Sequence, residues 1–125
     1  ENVREAAFSV DGASKETHPI VRDEIYRIGY EAIRNACLHS GGDRVEVLLT
    51  YGHDLTLRVS DDGAGMEAEL LDKGKEGHFG IRGMRERAER IGARLTLSSA
   101  PGSGTVVTLV VPGRIVFSGG RSPDA

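Results

Sequence analysis

The sequence predicts one α/β domain, a two-layer sandwich with helices on one face of a mixed, mainly antiparallel sheet. Two pairs of apolar runs alternate with polar residues, and a short polar turn joins each pair, which is typical of β-hairpins. Two longer segments place apolar residues three and four positions apart, the period of a helix with one buried face. A chain of 125 residues has the size of one domain and needs no disulfide or metal for stability.

The predicted elements follow one another in the order β, α, β, β, loop, α, β, β. A polar loop ends at His18-Pro19, where the backbone before proline avoids the helical region, and the first helix follows. On the second helix we expect Glu86 and Arg90 to form an i,i+4 ion pair on the exposed side. The predicted strands are Arg4–Val10, Val45–Tyr51, Leu55–Ser60, Leu95–Ser99 and Thr105–Val111, and the predicted helices are about Ile20–Ser40 and Ile81–Ile91.

Two segments are predicted to lie outside these elements. Residues 67–80 are polar and rich in glycine, which indicates a short helical piece followed by a mobile loop. Residues Gly113–Ala125 are rich in Gly, Ser and Pro, and we expect them to fray. The domain is therefore predicted to span residues 1–113, with a C-terminal tail at 114–125. Because the chain begins at Glu1, we expect it to be a piece of a longer protein.

Composition argues against several kinds of protein. The net charge of −3 and the pI near 5.8 disfavour a dedicated nucleic-acid binder, which normally has a basic face. The single Cys37 excludes an internal disulfide and a Cys-based zinc site, and its apolar neighbours indicate a buried thiol in a reducing compartment. No apolar run approaches the roughly 20 residues that cross a bilayer. The 17 glycines indicate unusual backbone dihedrals or close backbone approach.

Glu31, Asn35 and His39 occupy positions i, i+4 and i+8 of the first predicted helix, so they form one polar row beside its apolar stripe. Amide and carboxylate oxygens are hard ligands that suit Mg²⁺, directly or through water. Such a row is typical of a helix that lines a cleft, and also of a solvated face that borders the core. From helix geometry alone, the solvated face is the more frequent explanation.

Three glycine-containing segments follow. In Asp61–Met66 (DDGAGM) a carboxylate at a strand end can accept a hydrogen bond from a ligand amine, although a plain Asx turn explains the pattern as well. Gly80 and Gly83 lead into the second helix, whose first N–H groups attract phosphate, and a flexible hinge is an equal alternative. The run Gly102–Thr105 (GSGT) is, by itself, a hairpin turn.

Together, the order and spacing of these four segments resemble the ATP-binding catalytic domain of sensor histidine kinases, in the superfamily shared with gyrase, Hsp90 and MutL. The run EAIRNA that starts at Glu31, with His39, resembles the N box, and DDGAGM resembles the first glycine box. Gly80 and Gly83 fall in the second glycine box and GSGT in the third. The run GHFGIRGMRERAERIGA is similar to the subgroup that partners response regulators of the NarL type. The resemblance covers about residues 3–112 and implies the Bergerat-type ATP-binding fold.

The resemblance also implies a role for each matching residue. Asn35 would coordinate the Mg²⁺ that bridges the nucleotide phosphates, and Glu31 would lie by the metal and the γ-phosphate as orienter or base, with contact to the metal through water. Asp61 would accept the exocyclic amine of adenine, and residues 67–79 would form the ATP lid. The implied nucleotide-binding residues are Asn35, His39, Asp61, Gly63, Gly65, Met66, Gly80, Ile81, Gly83, Met84, Gly104 and Thr105.

The glycines would act through the backbone. Gly63 and Gly65 would keep the pocket wall thin beside the base, while Gly80 and Gly83 would let the lid close and offer N–H groups to phosphate. Two positions depart from the family pattern. Leu38 stands where Lys or Arg is frequent, and Asp62 where Asn is frequent, so one phosphate-neutralising charge is missing and one carboxylate is added.

The function implied is transfer of the ATP γ-phosphate to a His on a separate dimerisation domain, for relay to a NarL-type response regulator. None of the four histidines here follows the acceptor pattern, so the acceptor lies outside this chain. We expect a cytoplasmic domain of a homodimeric, membrane-anchored sensor, which itself contacts neither membrane nor nucleic acid. The alternatives are a serine kinase of the anti-sigma type and a non-catalytic interaction module that retains the fold.

Overall fold

The computed structural model describes residues 5–39, 41–65 and 80–117, and it confirms the predicted fold class. Five strands form one sheet in the order β1-β2-β3-β5-β4, with β1 parallel to β2 and the other pairs antiparallel. Each predicted element ends within one residue of its observed bounds. The elements are β1 Glu5–Asp11, α1 Pro19–His39, β2 Arg44–Tyr51, β3 Leu55–Asp61, α2 Ile81–Arg90, β4 Arg94–Ser99, β5 Thr105–Val111 and α3 Gly113–Val116.

The long helix α1 connects the two parallel strands β1 and β2, which a tight turn could not join. It begins at Pro19, where the missing N–H group of proline costs nothing because the first turn of a helix leaves that donor without an intrahelical partner. The ring nitrogen Nδ1 of His18 accepts the N–H of Ile20 at 3.2 Å. The sequence His18-Pro19 therefore starts the helix rather than merely stopping the preceding loop.

The core lies between the helices and one face of the sheet. Leu57 pairs with Leu109 and Val59 with Val107, so these side chains point to the same face, as the alternation in β3 predicts. Arg58 and Thr108 pair on the opposite, polar face. The helices cover the apolar face with residues spaced three and four apart. These are Ile25, Ile28, Ala32 and Ala36 from α1 and Ile81, Met84 and Ala88 from α2.

The expectation of a frayed end is wrong for residues 113–117, because α3 is packed against the domain, while residues 118–125 lie outside the described residues. Val116 is completely buried, and its carbonyl accepts the N–H of His18 at 2.8 Å. The N–H of Gly113 donates to Asp54 Oδ1 at 2.9 Å, and the ring of Phe117 stacks on Tyr51. The apolar run at 115–117 outweighs the glycine and serine content of the segment. Division of the chain into residues 1–113 and 114–125 stays a prediction.

The predicted pair of Glu86 with Arg90 is also wrong. Arg90 Nη1 instead lies 3.3 Å from Glu24 Oε2 on α1, and Glu86 pairs with Arg82 at 3.8 Å. A partner on another element competes with the i+4 neighbour, and the local sequence does not reveal it. The helical piece and loop predicted over residues 67–79 lie outside the described residues. Within the described ranges, no helix combines the length and the apolarity needed to span a membrane.

Candidate functional site

An open cleft of about 720 Å³ lies between α1 and α2. Four of the predicted site residues line it: Glu31 from α1, and Gly80, Gly83 and Met84 from the start of α2. The two segments are separated in the sequence by all of β2 and β3. The structure thus brings the N-box carboxylate and the second pair of glycines to one place, as a shared site requires.

Gly80 and Glu31 are in close contact where α2 begins. Gly80 has a φ of +60°, and a Cβ atom built there would lie 2.6 Å from Glu31 Oε2. The Glu31 side chain is 30% exposed and lies 3.9 Å from Arg34 Nη1. Gly80 caps α2, and among the described residues no side chain bonds to the first N–H groups of this helix. The positive end of the α2 dipole therefore lies beside Glu31, and such a helix start attracts an anion.

Asn35 lies one helical turn after Glu31 and is half-buried, with its amide oxygen Oδ1 buried. An amide oxygen and a carboxylate one turn apart are hard donors that fit Mg²⁺. No group of three or more His, Cys, Asp and Glu side chains within metal-binding reach occurs among residues 5–39, 41–65 and 80–117. A cation held here would therefore take most of its ligands from a bound phosphate and water. The side chain of His39 lies outside the described part of the chain.

Asp61 ends β3 and is half-buried. Its Oδ1 accepts the N–H of Gly63 at 2.8 Å, and a backbone hydrogen bond from Thr105 also reaches the carboxylate. Burial raises the pKa of Asp61, the charge of Asp62 adds to the rise, and the two backbone hydrogen bonds oppose it. The bond from the Gly63 N–H forms the Asx turn that the sequence analysis gave as the alternative, and a ligand contact at Asp61 stays a prediction.

Two predicted glycines connect Asp61 to the β4–β5 turn. A Cβ atom on Gly65, at φ +77°, would overlap the carbonyl oxygen of Ala100, and one on Gly104, at φ +74°, would overlap that of Asp61. The Ser99 hydroxyl bonds to the carbonyl of Gly104 and lies 2.8 Å from the Thr105 hydroxyl. The first and third glycine boxes are therefore packed together. This close packing of backbone explains why positions 65 and 104 are glycine. Whether Gly65 also thins a pocket wall stays a prediction.

The structure shows the surroundings of Asp62 and Leu38, the two residues that depart from the family pattern. Asp62 Oδ1 accepts the N–H groups of Asp43 and Arg44, both at 3.0 Å, so this carboxylate ties the end of β3 to the start of β2. Leu38 is 53% exposed on the last turn of α1. Asp62 thus has a local structural role that explains an acidic residue there.

The remaining predicted residues divide into two groups. Ile81 and Met84 are each 1% exposed and belong to the core, so their predicted part in binding falls mainly on the backbone of the first α2 turn. Met66 and the proposed lid at 67–79 lie outside the described residues.

The sequence analysis missed the rest of the cleft wall. Four residues of the first half of α1, and one of α2, line the cleft without belonging to any box. A signal existed for part of this set, since positions 23, 27 and 31 follow the same four-residue spacing as the recognised polar row. The missed residues are Asp23, Tyr26, Arg27, Tyr30 and Arg87.

Comparison with known proteins gives one family and consistent relatives. Residues 20–115 match the family model described as histidine kinase-, DNA gyrase B-, and HSP90-like ATPase. The sensor protein VraS of Staphylococcus haemolyticus is 40% identical over 93 residues, and VraS of Staphylococcus aureus is equally similar. Each match covers 74% of this chain and 26% of the relative, so the chain spans about a quarter of their length.

Solved structures show the same fold. The histidine kinase domain of a blue-light-activated histidine kinase from Erythrobacter litoralis superposes with a TM-score of 0.67 at 26% identity, over 86% of this chain and 51% of that one. The catalytic domain of the histidine kinase ThkA, in a nucleotide-free form, superposes with a TM-score of 0.68 over 86% of this chain and 78% of that one. At 16% identity, the second likeness shows the fold alone.

Proposed function

We propose that this chain, which belongs to the family of histidine kinase-, DNA gyrase B- and HSP90-like ATPases, is the ATP-binding catalytic domain of a sensor histidine kinase. The observation that carries the proposal is the contact between Glu31 and Gly80. It sets a carboxylate beside the open N-terminus of α2, which is an arrangement suited to a polyphosphate and its cation.

The two ends of a nucleotide have separate candidate partners here. The ionised Asp61 carboxylate can accept the exocyclic amine of adenine, a contact that guanine lacks because it has an oxygen at that position. The first turn of α2, with Gly80 and Gly83, can donate backbone N–H groups to the phosphates. A pocket with these partners selects adenine nucleotides by one hydrogen bond and holds the phosphates through the backbone.

The proposed reaction transfers the γ-phosphoryl group of ATP to a His nitrogen of a separate dimerisation domain. The bond from the γ-phosphorus to the bridging oxygen breaks, a phosphorus–nitrogen bond forms, and ADP leaves with the bridging oxygen. This chain then supplies position and charge stabilisation rather than a covalent intermediate. Glu31 is suited to orient the acceptor imidazole or take its proton, because its carboxylate lines the cleft through which the acceptor would enter.

We propose Mg²⁺ as the cation that accompanies ATP. Asn35 and Glu31 supply two oxygen donors on one side of α1, directly or through water, and the phosphates would supply others. When bound, the cation neutralises phosphate charge.

The similarity to the longer sensor proteins extends the proposal to a whole protein that would contain this domain. We propose a homodimeric, membrane-anchored sensor, with this domain in the cytoplasm and a response regulator as the next acceptor. The run GMRER and the residues around it favour a regulator of the NarL type.

The first test is a thermal-shift titration of this chain with ATP, ADP and GTP, each with and without Mg²⁺. Ligand at ~100 times its Kd adds about 2.7 kcal/mol to the free energy of unfolding. For a domain of this size that is on the order of 10 °C in Tm. We expect shifts with ATP and ADP and none with GTP. No shift at millimolar ATP would support a non-catalytic interaction module instead.

The second test adds the histidine-bearing dimerisation domain and radiolabelled ATP. Phosphohistidine is labile in acid, whereas phosphoserine survives it. Label that acid removes supports the histidine kinase. Acid-stable label on a partner protein would support the serine kinase of the anti-sigma type and contradict the proposal.

A further inference from the structure

Glu24 of α1 holds two arginines of α2 at once. Arg87 Nη1 donates to Glu24 Oε1 at 3.0 Å, and Arg90 Nη1 donates to Oε2 at 3.3 Å. Both carboxylate oxygens are therefore engaged, and by residues more than 60 positions away in the sequence. Hydrogen bonds between ionised groups are the strong class, because full charges face each other along the bond.

Burial distinguishes the Glu24–Arg87 pair from the other ion pairs of α2, whereas the Arg90 side chain is 59% exposed. The Glu24 side chain is only 16% exposed and that of Arg87 is 35% exposed. The Arg82–Glu86 pair is 3.8 Å long, with side chains 71% and 61% exposed, and it lies within one helix. Solvent screens an exposed pair, but it screens a half-buried one much less. The hydrogen bond from Arg87 accordingly lowers the pKa of Glu24, which stays ionised.

The Glu24–Arg87 contact is in register with the Glu31–Gly80 contact. On α1 the two glutamates are seven residues apart, and on α2 Gly80 and Arg87 are also seven residues apart, in the opposite direction. Seven helical residues span about 10 Å, so antiparallel helices would make both contacts on one seam. The buried Met84 lies between them on α2. Two contacts at this spacing set both the rotation and the sliding position of α2 on α1.

We propose that Glu24 is a positioning residue that, through Arg87 and Arg90, sets the phosphate-binding end of α2 against Glu31. The inference rests on the proposed function, since it assigns the first turn of α2 to the phosphates. A backbone N–H binds phosphate only over a short range and within a narrow angle. An α2 helix that slides or rotates on α1 therefore offers the same groups in the wrong place.

If Glu24 positions α2, a change at Glu24 should reduce the affinity for ATP but not the affinity for adenosine. The adenine contact at Asp61 lies on β3 and the β4–β5 turn, and neither is held by Glu24. A weakened Glu24 contact should therefore reduce affinity for ATP and leave the affinity for adenosine unchanged. A merely structural role would reduce both affinities together, or only the Tm.

The test compares Glu24→Gln with the matched variant Glu86→Gln in this chain. Both remove one carboxylate charge that pairs with arginine side chains of α2, but the partner of Glu86 among the described residues, Arg82, lies on the same helix. Calorimetric titration with ATP and with adenosine gives two dissociation constants for each variant and for the wild type. We expect Glu24→Gln to weaken ATP binding five- to twentyfold, with adenosine within twofold. Glu86→Gln should change neither by more than twofold.

A second variant covers the case in which Glu24→Gln does not fold. Arg90→Gln removes one of the two arginines that Glu24 holds, and Arg90 does not belong to the cleft lining described above, so we expect ATP to bind two- to fivefold more weakly and adenosine to bind within twofold of the wild type. A folded Arg90→Gln variant with unchanged ATP affinity overturns the inference. So does Glu24→Gln with unchanged ATP affinity, or with ATP and adenosine weakened equally. Wild-type chain that binds no ATP overturns the proposed function first, and the inference with it.

Discussion

Gly80 and Glu31 touch so closely that a single methyl group would not fit between them. The Cβ of an alanine at position 80 would lie 2.6 Å from Glu31 Oε2, and the backbone there has a φ of +60°. The conformation that starts α2 favours glycine, and a larger residue here would push the Glu31 side chain aside. The start of α2 and the N-box glutamate depend on each other.

Gly80→Ala should therefore damage both stability and binding. The left-handed backbone costs an alanine roughly 1–2 kcal/mol, and the Glu31 carboxylate must move away from the start of α2. We expect a lower denaturation midpoint and weaker ATP binding. Gly80→Asn is the control, because asparagine tolerates this conformation better while keeping the Cβ. Equal stability of Gly80→Ala and the wild type in urea would contradict the prediction.

Gly83→Ala should have the opposite effect on stability. Gly83 is inside α2, and its φ is not in the left-handed region. Apart from the backbone of its own helix, no described residue comes within 4 Å of a Cβ built there. Alanine in an exposed helix position is more stable than glycine by about 1 kcal/mol. If the glycine serves close approach of the phosphates, the variant gains Tm and loses ATP affinity. A variant with higher Tm and full ATP affinity would remove Gly83 from the site.

Asp61→Asn should separate binding from folding. Since burial raises the pKa of Asp61, its ionisation opposes folding, and its contribution to stability is lost as pH rises through the raised pKa. The variant avoids that cost, so we expect a Tm at pH 7 no lower than that of the wild type. Its affinity for ATP should fall about tenfold, since a charge-assisted hydrogen bond is lost. A large loss of Tm with ATP binding retained would contradict the assignment.

The raised pKa of Asp61 also predicts that the affinity for ATP depends on pH. In the proposed site adenine binds the ionised carboxylate, so the affinity of the wild type for ATP should fall as pH drops through the raised pKa of Asp61. In Asp61→Asn this part of the profile should be flat. Calorimetric titration from pH 7 downward, stopped where the fold begins to unfold, measures the difference. Parallel profiles for the two proteins would exclude Asp61 as the titrating group.

Asn35→Ala should remove the cation dependence of binding while the fold remains. The side chain is half-buried and lies one turn after Glu31 on α1, and in the proposed site both would contact the same cation. We expect Mg²⁺ to strengthen ATP binding by the wild type, and to change the affinity of the variant by less than twofold. Titrations in Mg²⁺ and in EDTA give the ratio. Equal Mg²⁺ enhancement in both proteins would rule out Asn35 as a ligand.

Val116→Ala should destabilise the domain although it lies near the end of the described chain. Val116 is completely buried and anchors α3 beside His18. Loss of a buried branched side chain costs about 2 kcal/mol through transfer and cavity terms. Arg114→Ala is the matched control, because Arg114 is exposed on the same helix. A Tm unchanged in Val116→Ala would restore the expectation of a frayed end.

The helices and strands could be predicted from the sequence where the local spacing of apolar residues determines which face is buried. The stripe Ile25, Ile28, Ala32 and the alternation in β3 each determine a buried face without help from distant residues. The four boxes of the site were recognisable for a related reason, since each box is a short run with its own backbone or donor requirement.

The features that could not be predicted from the sequence depend on contacts between distant segments. Glu24 and Arg90 are 66 positions apart, so the local i,i+4 rule assigned Arg90 to the wrong partner. The role of Asp62 depends on two N–H groups at 43 and 44, which only the sheet register brings near. The helix α3 was missed because its glycine and the serine and prolines around it masked an apolar run that finds its partners on α1 and β2.

Strands β3 and β5 are neighbours in the sheet, although most of the candidate site lies between them in the sequence. The loop after Asp61, α2 and β4 therefore form an excursion whose two ends are held side by side at Asp61 and Thr105. The entropy of closing such an excursion rises only slowly with its length. We therefore expect the β3–β5 ladder to tolerate a change of length in the connection between Asp61 and α2 better than a change within β4, which pairs with β5 along its length.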